Sequence, residues 1–304
     1  MQKNYLPSLS CYFNALLLLF CSANFTVNAD DSVDFAVIQK QAGFAAAAYQ
    51  REQRLRVLIE AQNYKLGFQH TIPDLQMSFY LATDDSSKTQ VIAVRGTSNV
   101  ENVMLDIAFK LLRDEKTGIH LHEGFSFAAR RIYAELQPWL KPDYKIRATG
   151  HSLGGAVALI LAVYLDADRF KIEQVVTFGQ PKVTNLRGAQ QIQHLDVMRV
   201  VTPDDLVPLV PPFDPLDLRN LDIYWHAGQE VVLLDDNQYA LLEGADSMLR
   251  ATRFTQQAPN ENNLKNHHMQ FYLERVSAKM NSPERVPYRN NFNLFNLFGK
   301  DRGS

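Results

Sequence analysis

The chain has 304 residues, 46% hydrophobic and 21% charged, which is the composition of a globular protein with room for one large domain or two small ones. Its 31 Lys and Arg against 33 Asp and Glu leave a net charge of −2, so no basic field argues for nucleic acid as a partner. The two cysteines, Cys11 and Cys21, both lie near the N-terminus, so the rest of the chain has neither disulfides nor thiolate metal ligands and must be held by its core.

The chain opens with Lys3, a short apolar run from Tyr12 to Phe20, and Val27-Asn28-Ala29, a small-x-small pattern, with no acidic side chain before Asp30. This predicts a cleaved signal peptide over 1–29 and export to a periplasm or to the outside of the cell. The run is too short to span a bilayer comfortably. A helix is expected over Val33–Tyr49 and strands over Leu55–Ile59, Leu75–Leu81 and Val91–Val94, with Asp84–Lys88 as a hairpin connection. Ser98–Arg113 carries two apolar helical stripes and suits either a buried helix or a lid over a site. Then strand Tyr144–Thr149, helix Leu153–Leu165, strand Glu173–Phe178, helix Leu186–His194 and strand Asp196–Thr202 alternate, as parallel strands with right-handed crossovers do. A strand near Val231–Leu234 and a last helix over Asn262–Met280 follow. The expected fold is α/β: a central, mostly parallel mixed sheet with helices on both faces, forming one domain over 30–282. The tail 283–304 has no assigned structure; its Phe292, Leu294, Phe295, Leu297 and Phe298 could dock on a membrane or a partner, or pack on the domain.

Within this pattern, Gly150-His151-Ser152-Leu153-Gly154 has the form Gly-x-Ser-x-Gly between an expected strand and helix, the setting of a nucleophile elbow. Gly150 and Gly154 stand where strand and helix pass closely and a Cβ would collide. A serine hydroxyl needs a base, and the base needs an orienting carboxylate; on such a sheet both follow the serine in the chain. Asp204 and Asp205 come just after a parallel strand, and the residues alone do not choose between them. Of the later histidines, His226 suits a core position, whereas His267 and His268 sit together where a loop meets the last helix. The backbone N–H of Leu153 is one candidate oxyanion donor, and Thr97, after Arg95-Gly96 at the end of an earlier strand, is the second.

These motifs together resemble the class 3 (fungal-type) lipase family of the α/β-hydrolase superfamily. Val94-Arg95-Gly96-Thr97-Ser98 is similar to its oxyanion segment, His122-Glu123-Gly124-Phe125 to its His-x-Gly-Phe segment, and Thr149–Ala156 to its elbow. Thr177–Val183 resembles its Phe-Gly-x-Pro-x-Val turn, Asp205-Leu206-Val207-Pro208 its acid segment, and Tyr224–Gly228 its Tyr-x-His-x-Gly strand. The resemblance favours Asp205, which directly precedes x-Val-Pro, and favours His267, because His267–Tyr272 is similar to the family's His-x-Met-x-x-Tyr spacing. The chain departs from the family in Asn266, where an Asp is frequent, and in having no disulfides. The resemblance implies a secreted, monomeric serine ester hydrolase that meets a lipid interface and cleaves acylglycerols through Ser152, Asp205 and His267, with Thr97 and Leu153 as oxyanion donors and a helical lid. It implies no metal and no organic cofactor. A phospholipase A1, an esterase for soluble substrates, and a non-catalytic lipid-binding protein on the same scaffold are the alternatives.

Overall fold

In the computed structural model the described residues are 33–96, 110–212, 223–251 and 261–289. The expected signal peptide, Thr97, most of the 98–113 segment and the phenylalanines of the tail lie outside them. Val33 and Asp34 belong to a separate unit, and the architecture that follows is that of the unit beginning at Phe35.

Its frame is a nine-stranded sheet whose strands are β1 (Lys65–Ile72), β2 (Met77–Asp84), β3 (Thr89–Val94), β4 (Lys145–His151), β5 (Lys171–Phe178), β6 (Val197–Val201), β7 (Gln229–Leu233), β8 (Gln238–Leu242) and β9 (Glu284–Arg285). They lie side by side in chain order. β1, β2 and β3 are antiparallel neighbours. β3 to β7 run parallel, β8 is antiparallel to β7, and β9 pairs parallel with β8. The helices are α1 (Phe35–Ala47), α2 (Glu52–Glu60), α3 (Glu123–Leu136), α4 (Leu153–Ala167), α5 (Leu186–Gln191), α6 (Gly244–Ala251), α7 (Glu261–His267) and α8 (Met269–Ser277). A smaller antiparallel sheet joins Tyr224–Trp225, Thr184–Asn185, His120–His122 and Leu111–Arg113.

The sheet is covered on both faces, and β3 shows why. All six of its residues are buried. Ile92 and Val94 pack into a cluster with α3 and α4, while the alternate residues Val91 and Ala93 pack with Phe44 and Ala47 of α1 and Leu55 and Ile59 of α2. Successive side chains on a strand point to opposite faces, so a strand buried on both sides is apolar throughout. α4 follows the same logic: every residue from Gly154 to Leu165 is buried. The parallel register sets the C-terminal ends of β3 to β6 level with one another, through the pairs Val94–Gly150, His151–Phe178 and Phe178–Val200. Gly96, Ser152, Gly179 and the 202–205 turn therefore leave the sheet at one edge, where α/β folds gather their ligands.

Several expectations are corrected. Leu55–Ile59 belongs to α2, not to a strand: Leu55 and Ile59 are fully buried and Val57 is 53% exposed, the one-sided spacing of a helix. The Glu52–Arg56 pair at 3.0 Å supports its outer face. β2 begins at Met77, because Pro73–Leu75 forms a 3-10 turn, and β1 is an additional strand. Leu111–Arg113, the end of the segment expected to be helical, is a strand. The last helix is broken at His268, whose extended backbone caps α8. β9 adds Glu284 and Arg285, from the segment left unassigned as a tail, to the sheet edge.

Truncating Ile160→Ala, fully buried in α4, should lower unfolding stability by about 2–5 kcal/mol, whereas Val57→Ala on exposed α2 should change it by less than about 0.5 kcal/mol. Equilibrium denaturation in urea measures both.

Candidate active site

The chain turns from β4 into α4 at one residue. Ser152 takes φ 60°, ψ −134°, outside the regions ordinary side chains prefer, and is fully buried. Its N–H donates to the Phe178 carbonyl at 2.8 Å, and its own carbonyl accepts from the Gly155 N–H at 2.9 Å. A Cβ on Gly154 would stand 2.3 Å from the Val94 carbonyl oxygen, so only glycine lets α4 start this close to β3. The same closeness sets Gly96 against the serine: its ideal Cβ position is 2.9 Å from Ser152 Cβ. Leu153 opens α4, and the first N–H groups of a helix have no intrahelical acceptor, so they suit an anion. Thr97 follows Gly96 directly but is outside the described residues.

Of the two neighbouring aspartates, Asp205 is brought to a histidine. His267 Nδ1 donates to Asp205 Oδ2 at 2.8 Å, with Asp205 fully buried and His267 4% exposed. Asp205 also accepts from the Tyr272 hydroxyl at 2.5 Å through Oδ2 and from the Val207 N–H at 2.9 Å through Oδ1. Asp204 has another place: its carbonyl accepts from Asn263 Nδ2 at 2.7 Å, which ties α7 to the aspartate turn. His267 ends α7 and His268 is the capping residue before α8, and across this helix break His267 is buried while His268 is exposed. His226 is buried and donates through Nε2 to the Pro208 carbonyl at 2.8 Å.

Gly179, with φ 59°, turns the chain past this pair: an added Cβ would lie 2.9 Å from Asp205 Oδ2 and 3.0 Å from His267 Nδ1. Since Nδ1 carries the proton toward the carboxylate, Nε2 of a neutral His267 presents a lone pair. Both that Nε2 and Ser152 Oγ are buried and have no hydrogen-bond partner among the described residues. A nucleophile and a base kept free of other partners are what proton transfer between them needs.

Sequence reasoning assigned no role to three residues that hold this arrangement. His151 Nε2 donates to the His267 carbonyl at 2.6 Å, and His151 Nδ1 accepts from the Tyr49 hydroxyl at 2.7 Å. Tyr272 completes the cage around Asp205. His151 and Tyr272 stand inside motifs already quoted; Tyr49 lies in the turn just after α1 with no local mark of function. Burial, reinforced by His267, holds His151 well below the usual histidine range. Burial drives the Tyr49 hydroxyl up to about 12 and, with Asp205, the Tyr272 hydroxyl well above 10. All three therefore act as neutral dipoles. Among the described residues no group of three or more His, Cys, Asp or Glu could hold a metal ion.

The class 3 lipase family model matches residues 91–214. A secreted mono- and diacylglycerol lipase 1 of Fusarium solani is 37% identical over 142 residues, covering 44% of this chain and 42% of that protein. A lipase of Rhizomucor miehei is 30% identical over 176 residues, covering 52% and 45%. The chain thus spans less than half the length of these curated relatives. The crystal structure of the Lip2 lipase from Yarrowia lipolytica superposes with a TM-score of 0.57 at 26% identity, covering 67% of this chain and 82% of that one.

Three buried histidines set an acid limit to stability. Burial lowers His122 to about 4 and puts His151 well below 6.5; burial, together with nearby Arg199, Lys182 and Arg250, does the same to His226. The folded state excludes protons that the unfolded chain binds below about 6.5, so the contribution is whole above that pH and is lost as pH falls, by up to about 1.4 kcal/mol per pH unit per histidine. The denaturation midpoint should drop from pH 7 to pH 5. His226→Gln, whose amide can still donate to Pro208, should make the slope shallower; an unchanged slope would remove His226 from the explanation.

Proposed function

Because the chain belongs to the class 3 lipase family of the α/β-hydrolase superfamily, we propose that it is a serine hydrolase of carboxylic esters acting on acylglycerols. The observation that carries this reading is the His267–Asp205 pair at 2.8 Å, with the lone-pair nitrogen of His267 and the elbow hydroxyl of Ser152 both left unpartnered. Ser152 Oγ attacks the ester carbonyl while His267 Nε2 takes its proton. Asp205 holds the Nδ1–H tautomer and stabilises the imidazolium that forms. The negative oxygen of the tetrahedral intermediate is met by the Leu153 N–H and by Thr97, each such donor being worth roughly 10²–10³ in turnover. His267 returns its proton to the leaving alcohol. Water, activated by the same imidazole, then releases the acid from Ser152.

The cage around Asp205 supports these roles. The carboxylate has an acceptor position for His267 and is otherwise occupied by neutral donors, Tyr272 and the Val207 N–H. His151 holds the His267 main chain while Asp205 holds its ring, so backbone and side chain are each tied in place. The acylglycerol substrate and export from the cell are supported by the secreted mono- and diacylglycerol lipase among the relatives and by the signal-like 1–29 segment.

Ser152→Ala should abolish hydrolysis of p-nitrophenyl butyrate and labelling by a fluorophosphonate while leaving the thermal melt cooperative; an active, labelled variant would overturn the reading. Asp205→Asn should lower turnover by roughly 10³–10⁴ and Asp204→Asn by only a few-fold. The reverse order would move the acid by one residue. Side-by-side assays on triacylglycerol, monoacylglycerol and phosphatidylcholine rank the substrates.

A further inference from the structure

A cleft of about 880 Å³ includes Leu153 of the elbow in its wall, together with Met77, Phe125 and His122. His122 is set there with unusual care. It ends a strand of the small sheet, its N–H donates to the Val183 carbonyl at 2.9 Å, and its ring caps α3 by accepting the Phe125 N–H on Nδ1 at 3.4 Å. The ring also stacks on Phe125, centroids 4.0 Å apart and planes 20° from parallel. Because Nδ1 accepts, the ring proton is on Nε2. That Nε2–H is buried and has no partner among the described residues, in a side chain only 4% exposed overall. A buried donor left without an acceptor is costly, so a hydrocarbon occupant leaves this cost standing and an occupant with an acceptor oxygen removes it.

We propose, resting on the ester-hydrolase reading above, that His122 is a specificity-determining residue whose Nε2–H donates to a neutral acceptor oxygen of the substrate, a second ester carbonyl or a glycerol oxygen. Neutrality follows from the surroundings. Burial holds the imidazole uncharged down to about pH 4, so it offers a dipole and no net charge. Two of the three cations in the cleft lining, which are Arg113, Lys116 and Arg130, are engaged with acids: Arg130 with Asp114 at 3.0 Å and Lys116 with Asp168 at 2.7 Å. Asp114, Glu115 and Glu123 match Arg113, Lys116 and Arg130 in number along the cleft, so it carries no excess of positive charge to draw a phosphate. An acylglycerol that keeps a second ester therefore gains over a simple alkyl ester of the same acid.

The test compares kcat/KM of the full chain on 1,2-dioctanoylglycerol, methyl octanoate and dioctanoylphosphatidylcholine. His122→Asn places an acceptor where Nδ1 stood and keeps the helix cap but leaves no donor at the Nε2 position; His122→Ser is a second capping variant should the first not fold. His122→Gln puts an amide N–H near the Nε2 position. We expect Asn or Ser to lower kcat/KM on dioctanoylglycerol by about 5- to 100-fold, as loss of a buried donor's partner implies, with methyl octanoate within about twofold of wild type, and Gln to recover a substantial part. Equal losses on the two neutral esters would make His122 merely structural, and no loss on dioctanoylglycerol would remove it altogether. A loss confined to phosphatidylcholine would overturn the neutral acceptor. A wild-type chain that cleaves none of the three esters would remove the hydrolase reading itself, whereas an active wild type indifferent to the substitution removes only the role of His122.

Discussion

Ser152 sits between a strand and a helix in a backbone conformation that a residue with a Cβ holds only when its surroundings compel it, at a cost of roughly 1–3 kcal/mol. The compulsion here is visible. The serine N–H is tied to β5 through Phe178, its carbonyl starts the first turn of α4, and α4 is pressed on β3 by a glycine that no other residue could replace. The strain is offset by the burial of α4, whose middle ten residues from Ala156 to Leu165 are at most 4% exposed. A helix that must be buried along its whole length cannot shift to relieve a single turn, so the packing of the core fixes the serine.

The polar groups around the serine obey one electrical rule: the neighbours of the proposed base and acid are donors without charge. Tyr272, the Val207 N–H, His151 and Tyr49 all contribute dipoles that burial keeps from titrating or that cannot titrate. A cation beside Asp205 would compete with the imidazolium for the carboxylate, and another anion beside His267 would trap the proton it must return. Neutral donors hold geometry and leave the charge separation to the pair itself. The Tyr49–His151–His267 chain joins α1 to the break between α7 and α8, elements more than 200 residues apart in the sequence.

What could be read from the sequence follows from burial. β3 is covered on two faces, so Val91–Val94 announces itself as an apolar run, Val175–Phe178 and Val197–Val201 do so with Thr177 and Arg199 as interruptions, and the elbow between β4 and α4 carries its glycines in the open. α2 was obscure because Leu55–Ile59 is too short to show a period; only the exposure of Val57 between two buried residues separates helix from strand. The break at His268 has no Gly or Pro to mark it. β9 is two exposed charged residues on a sheet edge, with no apolar pattern at all. The motifs single out Ser152, Asp205 and His267 for the proposed site, while the Tyr49–His151 contact spans 102 residues and depends on how the chain after α1 meets the sheet. Side-chain pairs of that kind are set by tertiary packing, which local pattern does not encode.

In the turn that carries Asp205, residues 208 to 211 are buried without a strand or long helix to receive their carbonyls. A buried carbonyl left unpaired is costly, and most of the donors to this stretch are side chains. His226 takes the Pro208 carbonyl, Lys182 Nζ takes those of Leu209 and Pro211, and the Lys182 N–H takes that of Val210. Lys182 is itself held by burial and by the neighbouring Arg250 and Arg199 down to about 7, so at that pH it shares its life between ammonium and amine. Arg199 reaches the Ala227 carbonyl and Ser247, and Glu230 lies between Arg199 and Arg250 with its carboxyl kept low: burial pushes it up, but the two guanidinium groups outweigh it. Cations are the fitting choice because a carbonyl only accepts, and a long cationic side chain carries several donors to acceptors that no ladder could reach. The aspartate turn is thus fixed from within by donors to its backbone, which leaves the Asp205 carboxylate, on the other side, as the acceptor offered to His267 and Tyr272.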